Sequence, residues 1–181
     1  MQAMTTQISV EQTEAEANKV GQYLTFSVAS ESYAICILDV QEIIEVGRMT
    51  RVPMTPAYIR GVINLRGSVV PVVDLSARLG KTVSQLSKRS CIVLVEVSVG
   101  EERQSLGMLV DEVKEILEIS DGDLQPTPAF GTDIRTDFIQ AMGRVEEVFM
   151  ILLNVNEVLS VVDLANLQEI SEAGQRLLAG Q

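Results

Sequence analysis

Apolar and polar residues alternate from Tyr23 to Val28 (Tyr-Leu-Thr-Phe-Ser-Val), and an apolar run follows the polar turn at Ser30-Glu31. A period of two places alternate side chains on one face of an extended chain. Strands are therefore predicted at Gln22–Val28 and Ser32–Ile37, joined by a tight turn. Further runs predict strands at Gly61–Leu65, Val69–Leu75, Cys91–Val99, Gln104–Val110 and Val148–Val155. Short strands at this spacing point to a barrel or sandwich rather than to βαβ units. Asp39–Val46 and Glu112–Ile119 have another period: Val40, Ile43, Ile44 and Val113, Ile116, Leu117 fall at i, i+3 and i+4. That spacing predicts two short helices, with Asp39 and Glu42 set as in a capping box. A longer amphipathic helix is predicted over Leu164–Ala179, where Leu164, Leu167, Ile170, Ala173 (or Gly174) and Leu177 lie about one turn apart. Residues 1–21 lack such a pattern and are expected to be a disordered leader.

The same patterns occur twice. Ile37–Val46 matches Val110–Ile119, Pro53–Tyr58 matches Pro126–Phe130 with one residue dropped, and Val69–Asp74 matches Phe149–Asn154. Self-similarity over this span marks a duplicated unit. A β-unit of this size can close edge to edge into a small barrel and so remove its open strand edges. The chain is thus expected to form two related, mainly β halves.

Composition narrows what such a scaffold does. Of 181 residues 46% are apolar but only 4% aromatic, so Val, Ile and Leu must build the core. The net charge is −11 and no Lys/Arg cluster interrupts it, which argues against phosphate backbones and anionic lipid. There is no histidine, hence no imidazole base or ligand. Cys36 and Cys91 sit in apolar runs and are expected to be buried and reduced. The first twenty residues lack the basic and apolar regions of a signal peptide, and no stretch approaches the ~18 apolar residues of a membrane span. A cytoplasmic location is expected.

The acidic pairs Glu101-Glu102, Asp111-Glu112 and Glu146-Glu147 have no recurring cationic or metal-binding partner and are read as solvated surface. A hydrolase would need a positioned acid and base, a receiver domain long helices between its strands, and a nucleotide site a Gly-rich loop. None of these patterns is present. Asn64-Leu65-Arg66-Gly67 between two apolar runs reads as a tight hairpin, and Pro71 after it suggests an edge strand or a bulge. Arg66 is open to two readings. It is a turn cation inherited with the fold, since Met142-Gly143-Arg144 is a partial counterpart, or it is a binding residue.

Gly61-Val62-Ile63-Asn64-Leu65-Arg66-Gly67 followed by Val69–Leu75 resembles the pattern of the CheW-like domain family. So do Ile35-Cys36-Ile37 leading into Val40-Gln41-Glu42-Ile43, and Arg51-Val52-Pro53 with Pro56 and Ile59-Arg60-Gly61. The resemblance covers residues 22–163, with residues 164–181 as a helix packed on that domain. It implies two interleaved, five-stranded SH3-like β-barrels and no enzyme activity, cofactor or metal. Members of the family act as adaptors between transmembrane chemoreceptors and the histidine kinase CheA, and build arrays with it. They pair with the kinase's CheW-like regulatory domain through barrel ends, and the receptor's helical hairpin tip lies in a groove between the barrels. Carried over by position, Val40, Glu42, Gly61, Asn64 and Arg66 belong to the receptor groove, while Ile37 matches but can be core alone. The turns holding Met49, Arg51, Pro53 and Thr55 are expected to face the kinase. Glu42 is then either a groove charge, or the partner that orients Arg66, or a helix-capping residue. The resemblance implies a cytoplasmic coupling protein recruited to receptor arrays in chemotaxis; the alternative is a relative serving a twitching or regulatory pathway.

Overall fold

A computed structural model describes residues 19–99, 101–127, 134–160 and 164–179. Its strands, in chain order, are β1 (Val20–Val28), β2 (Glu31–Cys36), β3 (Val40–Glu45), β4 (Ile59–Leu65), β5 (Ser68–Asp74), β6 (Cys91–Val99), β7 (Glu102–Val110), β8 (Glu112–Ser120), β9 (Leu124–Gln125), β10 (Ile139–Val145) and β11 (Val148–Leu153). The helices are α1 (Leu75–Arg78), α2 (Val155–Leu159) and α3 (Leu164–Ala179), with single 3₁₀ turns at Ile37–Asp39, Asp121–Asp123 and Thr136–Phe138. The predicted strands are all present. The pattern missed β9 and β10, and β1 starts at Val20, inside the segment expected to be leader. Residues 1–18 and most of the Pro126–Phe130 match lie outside the described residues.

The strands form two sheets, ordered β8-β1-β2-β11-β10-β9 and β3-β6-β7-β5-β4. Each has five principal strands. The first adds the two-residue β9 beside β10, and at the equivalent place beside β4 the second has only the Thr50–Val62 bridge. The sheets are interleaved along the chain, since β1 and β2 join β8–β11 while β3–β7 make the second sheet.

Their registers superimpose. Hairpin β4–β5 runs Ile59↔Val73, Gly61↔Val72, Val62↔Pro71 to Leu65↔Ser68; β10–β11 runs Ile139↔Leu153, Ala141↔Leu152, Met142↔Ile151 to Val145↔Val148. The bulge falls at the same step in both. A parallel ladder then ties β5 to β7 (Val72↔Gly107) and β11 to β2 (Leu152↔Ala34). The repeat between Val69–Asp74 and Phe149–Asn154 is therefore a structural equivalence. Pro71 is not on an edge strand: β5 lies between β7 and β4, and Pro71 precedes the first residue of the ladder with β7.

The two predicted short helices are strands β3 and β8, and a bulge explains the misreading. In β3 the register jumps from Val40↔Val95 to Glu42↔Leu94, so one extra residue separates Val40 from Ile43, which pairs with Val93. In β8 the jump falls between Val113↔Phe26 and Ile116↔Leu24. A bulge in a period-two strand spaces two same-face residues three apart, and the next residue points the other way. The i, i+3, i+4 pattern is imitated without a helix.

The largest apolar cluster serves both sheets, and each sheet adds a smaller one of its own. Phe26, Tyr33 and Ile35 of the first pack in one cluster with Val93, Val95, Leu106 and Met108 of the second, and Phe26 stacks on Tyr33 with centroids 6.5 Å apart. Arg78 of α1 joins the two units. Its Nε donates to the Val158 carbonyl at 2.7 Å, and its guanidinium lies 4.6 Å from the Phe138 ring centroid and 5.3 Å from that of Tyr58. Burial lowers its pKa from the ordinary arginine value. Cys36 and Cys91 are free thiols, half-buried rather than fully buried. Helix α3 lies on hairpin β4–β5, and a Cβ at Gly174 would meet Val62 Cγ2 at 2.8 Å and Val69 Cγ1 at 3.1 Å. Glycine lets the helix backbone approach the sheet that closely.

Each parallel ladder ends in a capped helix. Asn154 accepts a hydrogen bond from Glu157 N at 3.2 Å, and its equivalent Asp74 accepts from Ala77 N at 3.2 Å. Asp74 is fully buried and also takes Ser84 N at 2.9 Å, Ser84 Oγ at 3.0 Å and Arg60 Nη1 at 3.3 Å. Removing a carboxylate that satisfies this many groups leaves a partly buried arginine unpaired. Asp74→Ala is expected to lower unfolding stability by about 3 kcal/mol. Asp74→Asn keeps the cap, as Asn154 does, and costs less. Urea unfolding of both variants measures the difference.

Candidate functional site

The β4–β5 turn is built from Arg66 (φ 51°) and Gly67 (φ 85°), two consecutive left-handed residues, as a two-residue hairpin of this twist requires. Asn64 Oδ1 accepts from Gly67 N at 3.0 Å and fixes the turn. This projects Arg66 across to β3, where its Nη2 donates to both Glu42 oxygens at 2.7 Å. The side chains stay 69% and 38% exposed, so the pair stands in water rather than in the core. The Glu42 hydrogen bond and charge raise the guanidinium pKa above its ordinary value. Glu42 is thus the partner that orients Arg66, and no helix is there for it to cap.

Register shows what the fold requires of this turn. The residues equivalent to Arg66 and Gly67 are Glu146 and Glu147, and Arg144 stands where Asn64 does. Arg144 is not the counterpart of Arg66, and a β10–β11 turn that carries glutamate there folds as well. The Arg66 cation is thus not shared by the equivalent turn.

Beside the pair opens a cavity of about 640 Å³, lined by Gln41, Glu42, Leu65, Arg66, Ser68, Val69, Val70, Leu94, Arg103, Gln104 and Ser105. All belong to β3, β6, β7 or the β4–β5 hairpin, so the cavity is walled by the second sheet and not by both. Its floor is apolar at Leu94 and Val70. Its rim is polar, with Ser105 Oγ donating to Gln41 Oε1 at 2.9 Å. Gln41, Arg103 and Ser105 were not foreseen as site residues, because a helical reading of 39–46 hides that β3, β6 and β7 are neighbours.

The other residues carried over have separate places. Val40 is half-buried and packs on the main core. Gly61 (φ 147°) lies at the β4 bulge, where a Cβ would overlap the Thr50 carbonyl oxygen. Thr50 N donates to Val62 O at 2.9 Å and Val62 N to Thr50 O at 2.8 Å, so Gly61 seats the segment that follows β3. That segment forms a second cavity of about 610 Å³, and Met49, Arg51, Pro53 and Thr55 all line it with Met54, Arg60 and Val83. Met54 is fully exposed at φ 62°, a strained apolar apex that the sequence did not single out. Among the described residues no helix is long and apolar enough to cross a membrane, and no group of three or more His, Cys, Asp and Glu is placed to hold a metal ion.

Two interleaved sheets in matched register, each with an exposed hairpin tip, define a mainly β protein-interaction domain. The model of the CheW-like domain matches residues 22–163, and the chain belongs to that family. It is 36% identical over 135 residues to the chemotaxis protein CheW of Rhizobium meliloti, covering 75% of this chain and 84% of that one. Protein FrzA of Myxococcus xanthus is 29% identical over 150 residues, covering 80% and 89%. The crystal structure of the scaffolding protein TtCheW from Thermoanaerobacter tengcongensis matches with a TM-score of 0.70 at 34% identity, over 77% of this chain and 88% of that one.

The two kinds of carried-over residue separate in an unfolding experiment. Gly61→Ala forces a side chain against Thr50 and is expected to cost about 1–3 kcal/mol. Arg66→Ala removes only an exposed pair and is expected to leave the urea midpoint unchanged.

Proposed function

We propose that this chain is a non-catalytic adaptor that couples transmembrane chemoreceptors to the histidine kinase CheA in bacterial chemotaxis. The observation that carries the reading is Arg66: an exposed, oriented guanidinium that the fold does not need, at the rim of an apolar-floored cavity. A helix docking in a groove uses apolar anchors and a few oriented polar groups. Half-buried Leu65 and Val69 supply the anchoring surface above the buried Leu94 and Val70, and Arg66, held by Glu42, is aimed at a carboxylate or at helix C-terminal carbonyls on the receptor hairpin tip. Arginine offers a planar fork of donors that lysine lacks. Val40, Gly61 and Asn64 act behind this surface, by packing β3, seating the Thr50 segment and fixing the turn.

The kinase's regulatory domain is assigned to the cavity of Met49, Arg51, Pro53 and Thr55. Its apolar apex at Met54 and its two arginines, Arg51 and Arg60, give a second surface of different composition from the first. Two surfaces on one rigid frame are what a bridge within an array needs. The protein acts in the cytoplasm and is recruited to membrane-bound receptors through them. The similarity to FrzA keeps a coupling role in another sensory pathway as the second reading, with the same mechanism.

The test is reconstitution with a chemoreceptor signalling fragment and CheA, reading kinase autophosphorylation. The intact chain raises phosphorylation only when receptor is present. Arg66→Asp reverses the groove charge and is expected to abolish that increase while circular dichroism remains unchanged. Arg51→Glu is expected to weaken kinase association and leave receptor binding intact. A chain that binds neither partner overturns the proposal.

A further inference from the structure

The matched registers allow the two hairpins to be compared position by position, and one of them is covered while the other is open. On β4–β5, Val62 and Val69 receive α3, whose backbone at Gly174 approaches to within side-chain contact. The same diagonal on β10–β11 is occupied by Met142 and Phe149. Val62 is fully buried, but Met142 is only half-buried, Phe149 is 52% exposed and its neighbour Val148 is 67% exposed. Phe149 thus faces water, beside half-buried Met142, on the face whose sister carries a helix, while Val148 points to the opposite face.

The turn beside them is acidic at a conformational cost. Glu146 (φ 50°) and Glu147 (φ 67°) fill both left-handed positions, where Asn and Gly fit without strain. Arg144 Nη2 donates to Glu147 Oε1 at 2.8 Å, and Glu147 remains 84% exposed. The pairing leaves Glu146 to give the tip a net negative charge. At the equivalent tip of the second sheet stand a cation and a glycine.

We infer that the Met142–Phe149 face of hairpin β10–β11 is a second helix-docking site, which takes an amphipathic helix of a partner protein in the pose that α3 adopts on β4–β5, with basic residues flanking its apolar stripe. The sister hairpin supplies the geometry: a helix with a small residue at closest approach, crossing the Met142–Phe149 diagonal. Charge supplies the rest. The acidic tip favours lysine or arginine on the incoming helix and disfavours the α3 of a second copy, which carries Glu169 and Glu172 against Arg176 in a chain of net charge −11. The site is distinct from the Arg66 cavity and does not depend on the adaptor reading.

Two synthetic 16-residue helical peptides test this. Both carry Leu at i, i+3, i+4 and i+7 around a central Ala, one flanked by Lys and the other by Glu. Each is titrated into the ¹⁵N-labelled full chain and followed by NMR chemical shifts. The Lys peptide is expected to shift the amides of 142–150, with at least tenfold tighter binding than the Glu peptide. Phe149→Ser is expected to abolish those shifts with the rest of the spectrum retained. Should Phe149→Ser unfold, Glu146→Lys serves instead, since reversing the charge of the tip is expected to abolish the preference for the Lys peptide. The inference is overturned if neither peptide shifts 142–150, if both bind equally, or if the Lys peptide perturbs β4–β5 by displacing α3.

Discussion

The structure depends on β1 and β2 finding their sheet partners across the chain. β1 pairs with β8 along most of its length, and β2 takes β11 in a parallel ladder. Everything between, β3 to β7, is thereby closed into a second sheet whose buried face shares one core with the first. The first sheet cannot form from a contiguous stretch of the sequence, whereas the second is made of the consecutive strands β3 to β7. The entropy of closing these long loops is offset by apolar burial common to both units. A shared core also makes the pair of sheets a rigid frame, and only a rigid frame can hold two binding surfaces at a fixed separation.

On this frame the duplicated hairpins have kept their backbone and diverged in side chains. Bulge, register and two-residue turn are the same in β4–β5 and β10–β11, and so is the capped helix that follows each. What differs is chemistry at the tips: Arg66 with Glu42 on one side, Glu146 and Glu147 on the other. Comparing equivalent positions separates what the fold requires from what it permits. Asp74 and Asn154 do the same capping work and are structural. Arg66 and Glu146 differ in charge on the same backbone, and the difference is where recognition is proposed to lie.

Much of this was legible in the sequence. Alternation marked β1, apolar runs marked β2, β4, β5, β6, β7 and β11, and the Asn64–Gly67 turn stood out by its residues alone. The family pattern pointed to Glu42 and Arg66, and the structure joins them by hydrogen bonds. Met49, Arg51, Pro53 and Thr55, expected to face the kinase from the turns around 49–55, line a single cavity. The failures have physical causes. A bulge in β3 and another in β8 spaced the apolar residues as a helix would, because one inserted residue turns a period of two into a step of three. Arg144 was aligned with Arg66 by its neighbours, and only the hydrogen-bonded register shows that it equals Asn64. Gln41, Arg103 and Ser105 come together through sheet order, which no local pattern contains.

The central claim is that the Arg66 hairpin and the β3, β7 rim around it form the receptor-contacting surface. An NMR titration of the labelled chain with a chemoreceptor signalling fragment tests it most directly. The account predicts shifts at 41–42, 64–69 and 103–105, together with loss of free Arg66 side-chain signals as the guanidinium engages the receptor. Receptor binding that leaves residues 64–69 unshifted would contradict it.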